Sequence, residues 1–207
     1  MTSSSPKLVE GGREQPLSVR VVIAEDEAII RLDLKETLEQ EGYEVVGETG
    51  RGDEAISMVR DLQPDLAILD IKMPVMDGIA AAREIASNRL AAVLILTAFS
   101  QRDLVQQATE AGAMSYLVKP FQTSALIPAI EMALARFAEV KALEQQSDDL
   151  REQLETRRLV HRAQGVLQDK HGMNEADAFT FIQRTAMSQR ARMKAIAEQI
   201  LAGTIRP

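Results

Sequence analysis

The sequence contains no cysteine and only two histidines. The absence of cysteine excludes a disulfide framework, a thiolate zinc site, an iron–sulfur cluster and a cysteine nucleophile. No apolar run approaches the roughly 18 residues that a membrane span requires, and the polar N-terminus lacks the apolar core of a secretory signal. A cytoplasmic protein with no membrane partner is therefore expected.

Charge is unevenly distributed along the 207 residues, which carry a net charge of −7. Residues 155–207 hold nine basic and five acidic residues, so this segment is +4 and the remainder is −11. Opposite signs in the two parts indicate two domains with different tasks. The length is also sufficient for two small domains.

The N-terminal two thirds of the chain has an alternating pattern of strands and helices. Residues 1–18 are rich in Ser, Gly and Pro, and we predict a disordered tail. Beyond them, nearly continuous apolar runs alternate with segments of helical period, which is typical of an α/β fold with a parallel sheet covered on both faces. The predicted strands span 19–24, 43–47, 65–71, 91–97 and 114–118, and the helices span 27–41, 53–62, 77–87 and 104–111.

Polar residues follow the carboxyl ends of four predicted strands, where ligands gather in sheets of this kind. Glu25, Asp26 and Asp70 are expected to converge there, and crowded carboxylates favour a hard divalent cation such as Mg²⁺. Lys119 and Thr97 add a positive charge and a hydroxyl group. Together these groups predict a site for a phosphoryl group on Asp70.

Two other interpretations of these residues are weaker. Solubilising charges explain any single residue at a strand end, but poorly explain five groups at four strand ends. A hydrolase with an aspartate nucleophile usually carries a second acidic residue two positions later, and that position is Lys72 here.

Four segments in order resemble the receiver domain of two-component signalling proteins, over about residues 18–137. These segments are Val-Val-Ile-Ala-Glu-Asp-Glu at 21–27, Leu-Asp-Ile-Lys-Met-Pro at 69–74 with Asp77-Gly78, Leu-Thr-Ala at 96–98 and Tyr-Leu-Val-Lys-Pro-Phe at 116–121. The resemblance implies a flavodoxin-like (βα)5 fold with strand order 2-1-3-4-5. It also implies a sensor histidine kinase as the partner that phosphorylates Asp70.

The receiver resemblance also implies roles for the residues around Asp70. Asp26, Asp70 and the backbone carbonyl of Lys72 would bind Mg²⁺ directly, and Glu25 would act through water. Glu25 stands where an aspartate is common, which keeps the charge. The phosphoryl oxygens would be held by Thr97 and Lys119, whose shift would draw in Tyr116. The Lys119–Pro120 peptide bond would be cis.

After Gln122 the sequence becomes helical. One long helix is predicted over about residues 124–170, with Pro128 in its first turn and Gly172 at its end. A short coiled-coil seam is indicated by apolar residues at alternating three- and four-residue spacing, in which Ser147 and Arg157 fit poorly. The seam residues are Val140, Leu143, Leu150 and Leu154. We predict a receiver domain at 19–137, a coiled-coil linker at 138–156 and a three-helix domain at 157–207.

The predicted C-terminal domain consists of three amphipathic helices. Asn174 is expected to cap the second helix, which runs to about Met187, and Ser188 is expected to cap the third, which runs to Leu201. Phe179 and Phe181 are the only aromatic residues of this segment, which argues against modules that stack bases on aromatic platforms, such as the RRM. The predicted apolar stripes are Leu159, Val160, Ala163, Val166 and Leu167, then Ala176, Phe179, Ile182 and Ala186, then Met193, Ile196, Ala197 and Ile200.

Basic residues of this domain share helix faces. Arg158 and Arg162 are four residues apart, as are Arg190 and Lys194. Charge alone supports a nucleic-acid contact and a solvated helix face equally. Gly165 costs the helix about 1 kcal/mol relative to alanine, which suggests that another helix or an RNA backbone approaches it closely.

The C-terminal segment resembles the ANTAR domain, a family of RNA-binding antitermination modules, over about residues 146–202. The resemblance rests on Arg-Arg-Leu-Val-His-Arg-Ala-Gln-Gly-Val-Leu at 157–167 and on the pairs Ala178-Phe179, Ala186-Met187 and Ile196-Ala197. Gln164 stands where the family usually has lysine. The resemblance implies binding to paired RNA hairpins with six-nucleotide loops and a homodimer formed on phosphorylation. The predicted RNA-contacting residues are Arg158, Arg162, Gln164, Gly165, Lys170, Arg190 and Lys194.

Two alternative output functions remain open at this point. The helices could bind duplex DNA as a transcription regulator, or dock another protein without touching nucleic acid. An enzyme is not expected beyond the receiver's own phosphoryl transfer and slow dephosphorylation, because the C-terminal segment offers no convincing pair of nucleophile and base.

Overall fold

The computed structural model describes residues 18–98 and 102–207, apart from the side chain of Arg102. The chain forms two compact units, one up to Glu139 and one from Val140 onward. All but the last residue of the predicted disordered tail lies outside the described residues.

The first unit contains a five-stranded sheet with all neighbouring strands parallel, in the order β2-β1-β3-β4-β5. This topology confirms the predicted flavodoxin-like fold. The strands are β1 Arg20–Ala24, β2 Glu44–Thr49, β3 Leu66–Asp70, β4 Ala92–Thr97 and β5 Ser115–Val118, and the helices are α1 Ala28–Gln40, α2 Gly52–Leu62, α3 Gly78–Ser87 and α4 Arg102–Glu110. α5 begins in this unit and spans Thr123–His171.

Both faces of the sheet are covered, so β3 and β4 are buried at every position. Alternate residues of a strand point to opposite faces. Val22 therefore packs with residues of α2 and α3, whereas Ile23 packs with residues of α1 and α5. The continuous apolar runs of the sequence follow from this double coverage.

The start of α3 lies against the end of β3. Asp77 caps the helix by accepting a hydrogen bond from the amide of Ala80 at 2.7 Å, and the amide of Gly78 donates to the carbonyl oxygen of Ile71 at 2.9 Å. A Cβ atom on Gly78 would lie 1.9 Å from the carbonyl oxygen of Asp70. Only glycine therefore allows this approach without displacement of the backbone at Asp70.

Substitution of Gly78 by alanine is expected to destabilise the first unit by about 3 kcal/mol or more, because the clash is with backbone and cannot relax through a side chain. The only two tyrosines, Tyr43 and Tyr116, lie in this unit, so tyrosine fluorescence during urea unfolding reports on it. Gly50→Ala is the matched control, since its nearest contact of 3.4 Å is ordinary packing. Equal stability of the two variants would contradict this explanation.

The second unit is a small helical bundle built from the C-terminal part of α5, α6 Glu175–Gln189 and α7 Met193–Leu201. Gly172, with φ of +67°, follows the end of α5, and Asn174 accepts a hydrogen bond from the amide of Asp177 at 2.8 Å. Both helix-end predictions are thus confirmed. The buried core consists of Val160, Ala163, Leu167, Ala178, Ile182, Ala186, Ile196, Ala197 and Ile200.

The predicted boundary between the last two helices is wrong. Ser188 lies within α6 and its hydroxyl donates to the carbonyl oxygen of Thr185 at 3.0 Å, so it does not cap α7. α6 ends where Arg190 adopts a left-handed conformation, and Arg192 stands at the N-cap of α7. Arg190 and Lys194 therefore do not share one helix face, contrary to the prediction.

The predicted apolar stripe of α6 is also wrong at two positions. Ala176 is exposed and Phe179 is 41 % exposed, whereas Ala178 is buried and Phe181 packs against the core. Apolar residues occur on too much of this helix for their spacing alone to identify the buried face.

The predicted place of Pro128 in α5 is wrong as well. Because α5 begins at Thr123, Pro128 lies in its second turn and not in its first. A proline has no amide hydrogen, so the bond from residue 128 to the carbonyl oxygen of Ser124 is missing from the helix.

Candidate functional site

Three carboxylates meet at the carboxyl edge of the sheet, as the sequence predicted. Glu25 and Asp26 follow β1, and Asp70 ends β3. Oxygen atoms of all three lie within 4.8 Å of one another. Glu25 and Asp70 are buried, whereas Asp26 is exposed. Such crowding is unfavourable unless positive charge lies close to it.

Lys119, which follows β5, supplies that charge. Its Nζ lies 2.5 Å from Oε2 of Glu25 and 2.9 Å from Oδ1 of Asp70. The second oxygen of Asp70 accepts a hydrogen bond from the backbone amide of Lys72 at 3.1 Å, while the Lys72 side chain is exposed. The carboxylate of Asp70 is therefore fixed from two sides.

Burial and charge shift the pKa values of this cluster. Burial raises the pKa of Glu25, and although the hydrogen bond from Lys119 opposes the shift, the nearby charge of Asp70 adds to it. Burial alone would lower the pKa of Lys119, but its hydrogen bonds to Glu25 and Asp70 outweigh burial and raise it. Lys119 thus stays positively charged where the carboxylates need it.

Thr97 and Tyr116 lie on the neighbouring strands. Thr97 ends β4 and is buried, and its carbonyl oxygen accepts a hydrogen bond from the amide of Lys119 at 2.7 Å. Tyr116 on β5 is half-exposed. The Lys119–Pro120 peptide bond is cis, as the receiver resemblance implied.

Arg31 was not predicted to belong to this site. Its Nη1 lies 2.5 Å from the carbonyl oxygen of Glu25, and a Cβ atom on Gly50 would lie 3.4 Å from the same nitrogen. Arg31 thus fixes the backbone after β1 and lies close to the β2–α2 loop. Its position one turn after Glu27, at the start of α1, is the only signal in the sequence.

The oxygen donors of the cluster fit a hard divalent cation. Mg²⁺ is bound in proteins by one or two carboxylates together with water and phosphate oxygens. The described part of the chain contains one cluster of this composition, formed by Glu25, Asp26 and Asp70. Two of these carboxylates are buried beside a single lysine, so a further positive charge would relieve the remaining repulsion.

Among the basic residues of the second unit, some are held in ion pairs and others are not. Arg192 pairs with Glu152 at 2.9 Å and Lys194 pairs with Glu155 at 2.6 Å, so both cations are engaged by α5. No ion pair is found within the described residues for a second set of exposed arginines. This set consists of Arg157, Arg158, Arg162, Arg184, Arg190 and Arg206.

The residues at the centre of the ANTAR resemblance differ in their surroundings. The side chain of Gln164 donates to the carbonyl oxygen of Glu175 at 3.3 Å, so it connects α5 with the start of α6. A Cβ atom on Gly165 would meet nothing within 4 Å. No described helix approaches this glycine, contrary to one of the two expectations, and its surface is open. Lys170 is exposed.

Comparison with known proteins identifies both parts of the chain. Residues 21–131 match the response regulator receiver domain, and residues 148–201 match the ANTAR domain. The chain belongs to the response regulator family. It is a two-component response regulator with an RNA-binding antitermination output, and both matched domains are regulatory. None of the helices in the described ranges combines the length and apolar character needed to cross a membrane.

Similar proteins match either most of the chain, with both domains, or the receiver domain alone. The transcriptional regulatory protein PdtaR of Mycobacterium tuberculosis is 61 % identical over 182 residues, which are 88 % of this chain and 89 % of PdtaR. The receiver domain of NarL from the same organism is 30 % identical, with a TM-score of 0.56 over 58 % of this chain and 98 % of that one. CheY of Borrelia burgdorferi, solved in a CheX-CheY-BeF3-Mg complex, is 26 % identical, with a TM-score of 0.51 over 54 % and 85 %.

Glu25→Gln is expected to stabilise the response regulator at pH 7 in the absence of metal. The pKa of the Glu25 carboxyl group is higher in the folded than in the unfolded protein, so the unfolded chain loses the carboxyl proton at lower pH. Glu25 therefore lowers the free energy of unfolding as pH rises above 4.5, the ordinary pKa of this group. The difference between variant and wild type should disappear at lower pH, where both states keep the proton. Urea unfolding at several pH values, followed by tyrosine fluorescence, measures this difference in the free energy of unfolding.

Magnesium provides the second half of this test. A ligand at 100 times its Kd stabilises the folded state by about 2.7 kcal/mol, and Glu25→Gln should gain less than the wild type at the same Mg²⁺ concentration. Glu27→Gln changes an exposed neighbouring carboxylate and serves as the control. A variant less stable than wild type at pH 7 without metal would contradict the inferred cost of Glu25.

Proposed function

We propose that Asp70 accepts a phosphoryl group from a sensor histidine kinase and thereby controls binding of RNA hairpins by the ANTAR domain. The observation that carries this proposal is the placement of Lys119 Nζ, 2.9 Å from the buried Asp70 carboxylate and 2.5 Å from Glu25. A carboxylate oxygen of Asp70 attacks the phosphorus of a phosphohistidine. The O–P bond forms as the N–P bond breaks, and the leaving imidazole takes a proton from water.

The residues around Asp70 divide the task of neutralising charge. Lys119 stabilises the negative charge of the phosphoryl oxygens, and Thr97 donates its hydroxyl to one of them. Asp26, Asp70 and the carbonyl of Lys72 would hold Mg²⁺, with Glu25 acting through water, and bound Mg²⁺ supplies further charge neutralisation. The BeF3-Mg complex of CheY from Borrelia burgdorferi supports this assignment by similarity. Inward movement of Tyr116 would accompany the change at Thr97.

RNA binding is assigned chiefly to Arg158 and Arg162. Both are exposed on α5, and neither has an ion-pair partner among the described residues, so both are available to phosphates. The open surface of Gly165 allows an RNA backbone to approach α5 nearby. Lys170 and Arg190 are secondary candidates. Lys194 would have to leave Glu155, and Gln164 would have to leave Glu175, before either contacted RNA.

Phosphorylation is proposed to act through dimerisation. Leu143, Leu150 and Leu154 are each more than half exposed on α5, at the spacing of a coiled-coil seam. We propose that this linker spans residues 138–156, between a receiver domain at 19–137 and an ANTAR domain at 157–207. Two copies of the chain joined through the linker would bring two RNA sites together. Linked sites gain avidity without new contacts.

We further propose that this response regulator acts in the cytoplasm and is not an enzyme.

The first test of the proposed function is a binding titration with beryllofluoride and Mg²⁺ as the phosphoryl mimic. The ligands are an RNA with two hairpins of six-nucleotide loops, a version with scrambled loops and a DNA duplex. The mimic should strengthen hairpin binding by about 100-fold, the lower range for linked sites, and sedimentation should show a doubled mass.

Asp70→Asn is the control for this titration, because its amide cannot replace the carboxylate that holds the mimic. Neither its RNA affinity nor its sedimented mass should respond to beryllofluoride. Equal binding of hairpin, scrambled RNA and DNA duplex by the wild type would overturn the proposed function.

Replacement of both Arg158 and Arg162 by alanine is expected to abolish hairpin binding at physiological salt. Where binding is still measurable at low salt, the magnitude of the slope of log affinity against log salt should fall by roughly 1.4 to 1.8, since two phosphate contacts are lost. Transfer of phosphate to Asp70 should be unchanged.

The matched control replaces Arg184 and Arg206, two other exposed arginines, and changes the net charge equally. This variant should bind the hairpins nearly as well as the wild type. Similar losses in both double variants would show that net charge matters and the two α5 positions do not.

A further inference from the structure

A surface groove of about 510 Å³ lies within the second unit, between residues 149–160 of α5 and the other two helices. Phe179, Val160 and Met193 form its apolar lining. Its polar lining includes Gln153, Thr156 and Arg157. Five of its eight lining residues are polar or charged, so the groove offers a ligand both apolar surface and hydrogen-bonding groups.

Phe179 is an aromatic residue of this groove whose ring is partly exposed. Its side chain is 41 % exposed, although the neighbouring Ala178 is buried and Phe181 packs against the core. Phe179 is not a member of the core cluster, and it borders the groove together with Val160 and Met193. A half-exposed aromatic ring offers one face to a ligand.

We propose that this groove holds one unpaired base of an RNA hairpin loop, stacked on the ring of Phe179. The proposal deepens the RNA binding proposed above and rests on it. Bases of single-stranded loops are unstacked and are commonly held on aromatic side chains. One aromatic ring serves a single base, which agrees with the scarcity of aromatic residues in this domain.

Charge and hydrogen-bonding groups of the groove fit a nucleotide. The guanidinium of Arg157 has no ion-pair partner among the described residues and is free to contact the phosphate beside the base. One of the two carboxylates in the lining, Glu152, is neutralised by Arg192 at 2.9 Å. The other, Asp149, accepts a hydrogen bond from Gln145 at 2.9 Å and has oxygen capacity left for an exocyclic amino group. Adenine, guanine and cytosine carry such a group, whereas uracil does not.

A second copy of the chain is a poorer occupant of the groove. The groove uses positions 149, 152, 153, 156, 157 and 160 of α5, whereas the exposed leucines stand at 143, 150 and 154. Positions 149 and 153 precede Leu150 and Leu154 by one residue, which is about 100° around a helix. Coiled-coil pairing through the leucines would therefore turn most of the groove lining away from the partner, although Arg157 lies at a seam position.

The test uses the full chain and hairpin RNAs that carry 2-aminopurine at each of the six loop positions in turn. One loop position should lose fluorescence on binding to the wild type, because the fluorescent base stacks on Phe179. Phe179→Leu keeps an apolar side chain but removes the ring, so it should bind between roughly 5- and 150-fold more weakly, without the fluorescence loss. Phe179→Trp should restore both signals.

Met187→Ala is the matched control, since Met187 is an apolar side chain of α6 that is 74 % exposed and lies outside the groove lining. It should bind as the wild type does. If Phe179→Leu binds the hairpins as tightly as the wild type, with the same fluorescence change, the proposed base site is overturned while RNA binding stands. If the wild type binds no hairpin, the proposed function itself fails.

Discussion

The carboxyl edge of the sheet concentrates negative charge in a buried place, and the ammonium group of Lys119 balances it. Glu25 and Asp70 come from strands that lie side by side, so parallel pairing forces their carboxylates together. Lys119 reaches both from the end of β5, two strands beyond β3. The same arrangement that makes the unmodified edge costly prepares it for a phosphoryl group, whose charge the lysine also balances.

In the second unit, ion pairs occupy some of the basic side chains and leave others exposed. Arg192 and Lys194 are paired with carboxylates of α5, whereas Arg157, Arg158 and Arg162 extend from α5 without ion-pair partners among the described residues. Exposed ion pairs contribute little to stability, so these pairs matter mainly for which cations stay available. The count of basic residues in the C-terminal segment is therefore larger than the number that can contact RNA phosphates at the same time.

Sequence periodicity predicted the secondary structure correctly in strands that are buried on both faces. It failed to identify the buried face of a helix that is only partly buried. The strands of the sheet are nearly continuous apolar runs, and their positions were predicted from that pattern, whereas their order was implied by the receiver resemblance. In α6, by contrast, apolar residues occupy both the buried face and the exposed edge, so Ala176 and Phe179 were wrongly placed in the core. Ser188 is an acceptable N-cap by residue type, yet its hydroxyl bonds within the last turn of α6. Such local competition between a cap and a helix interior is decided by neighbouring packing.

The sequence by itself determined the two-domain organisation, the α/β topology, the set of residues at the carboxyl edge and the glycine that ends α5. The domains, the strands and the terminal glycine follow from the pattern of residues along the chain, and the order of the strands follows from the resemblance of four motifs to the receiver domain. Only the tertiary structure decided that Lys119 joins Glu25 to Asp70, that Arg31 binds the backbone after β1, and that Phe179 faces a groove. Each of these contacts joins segments distant in sequence, and its geometry follows from how helices and strands pack.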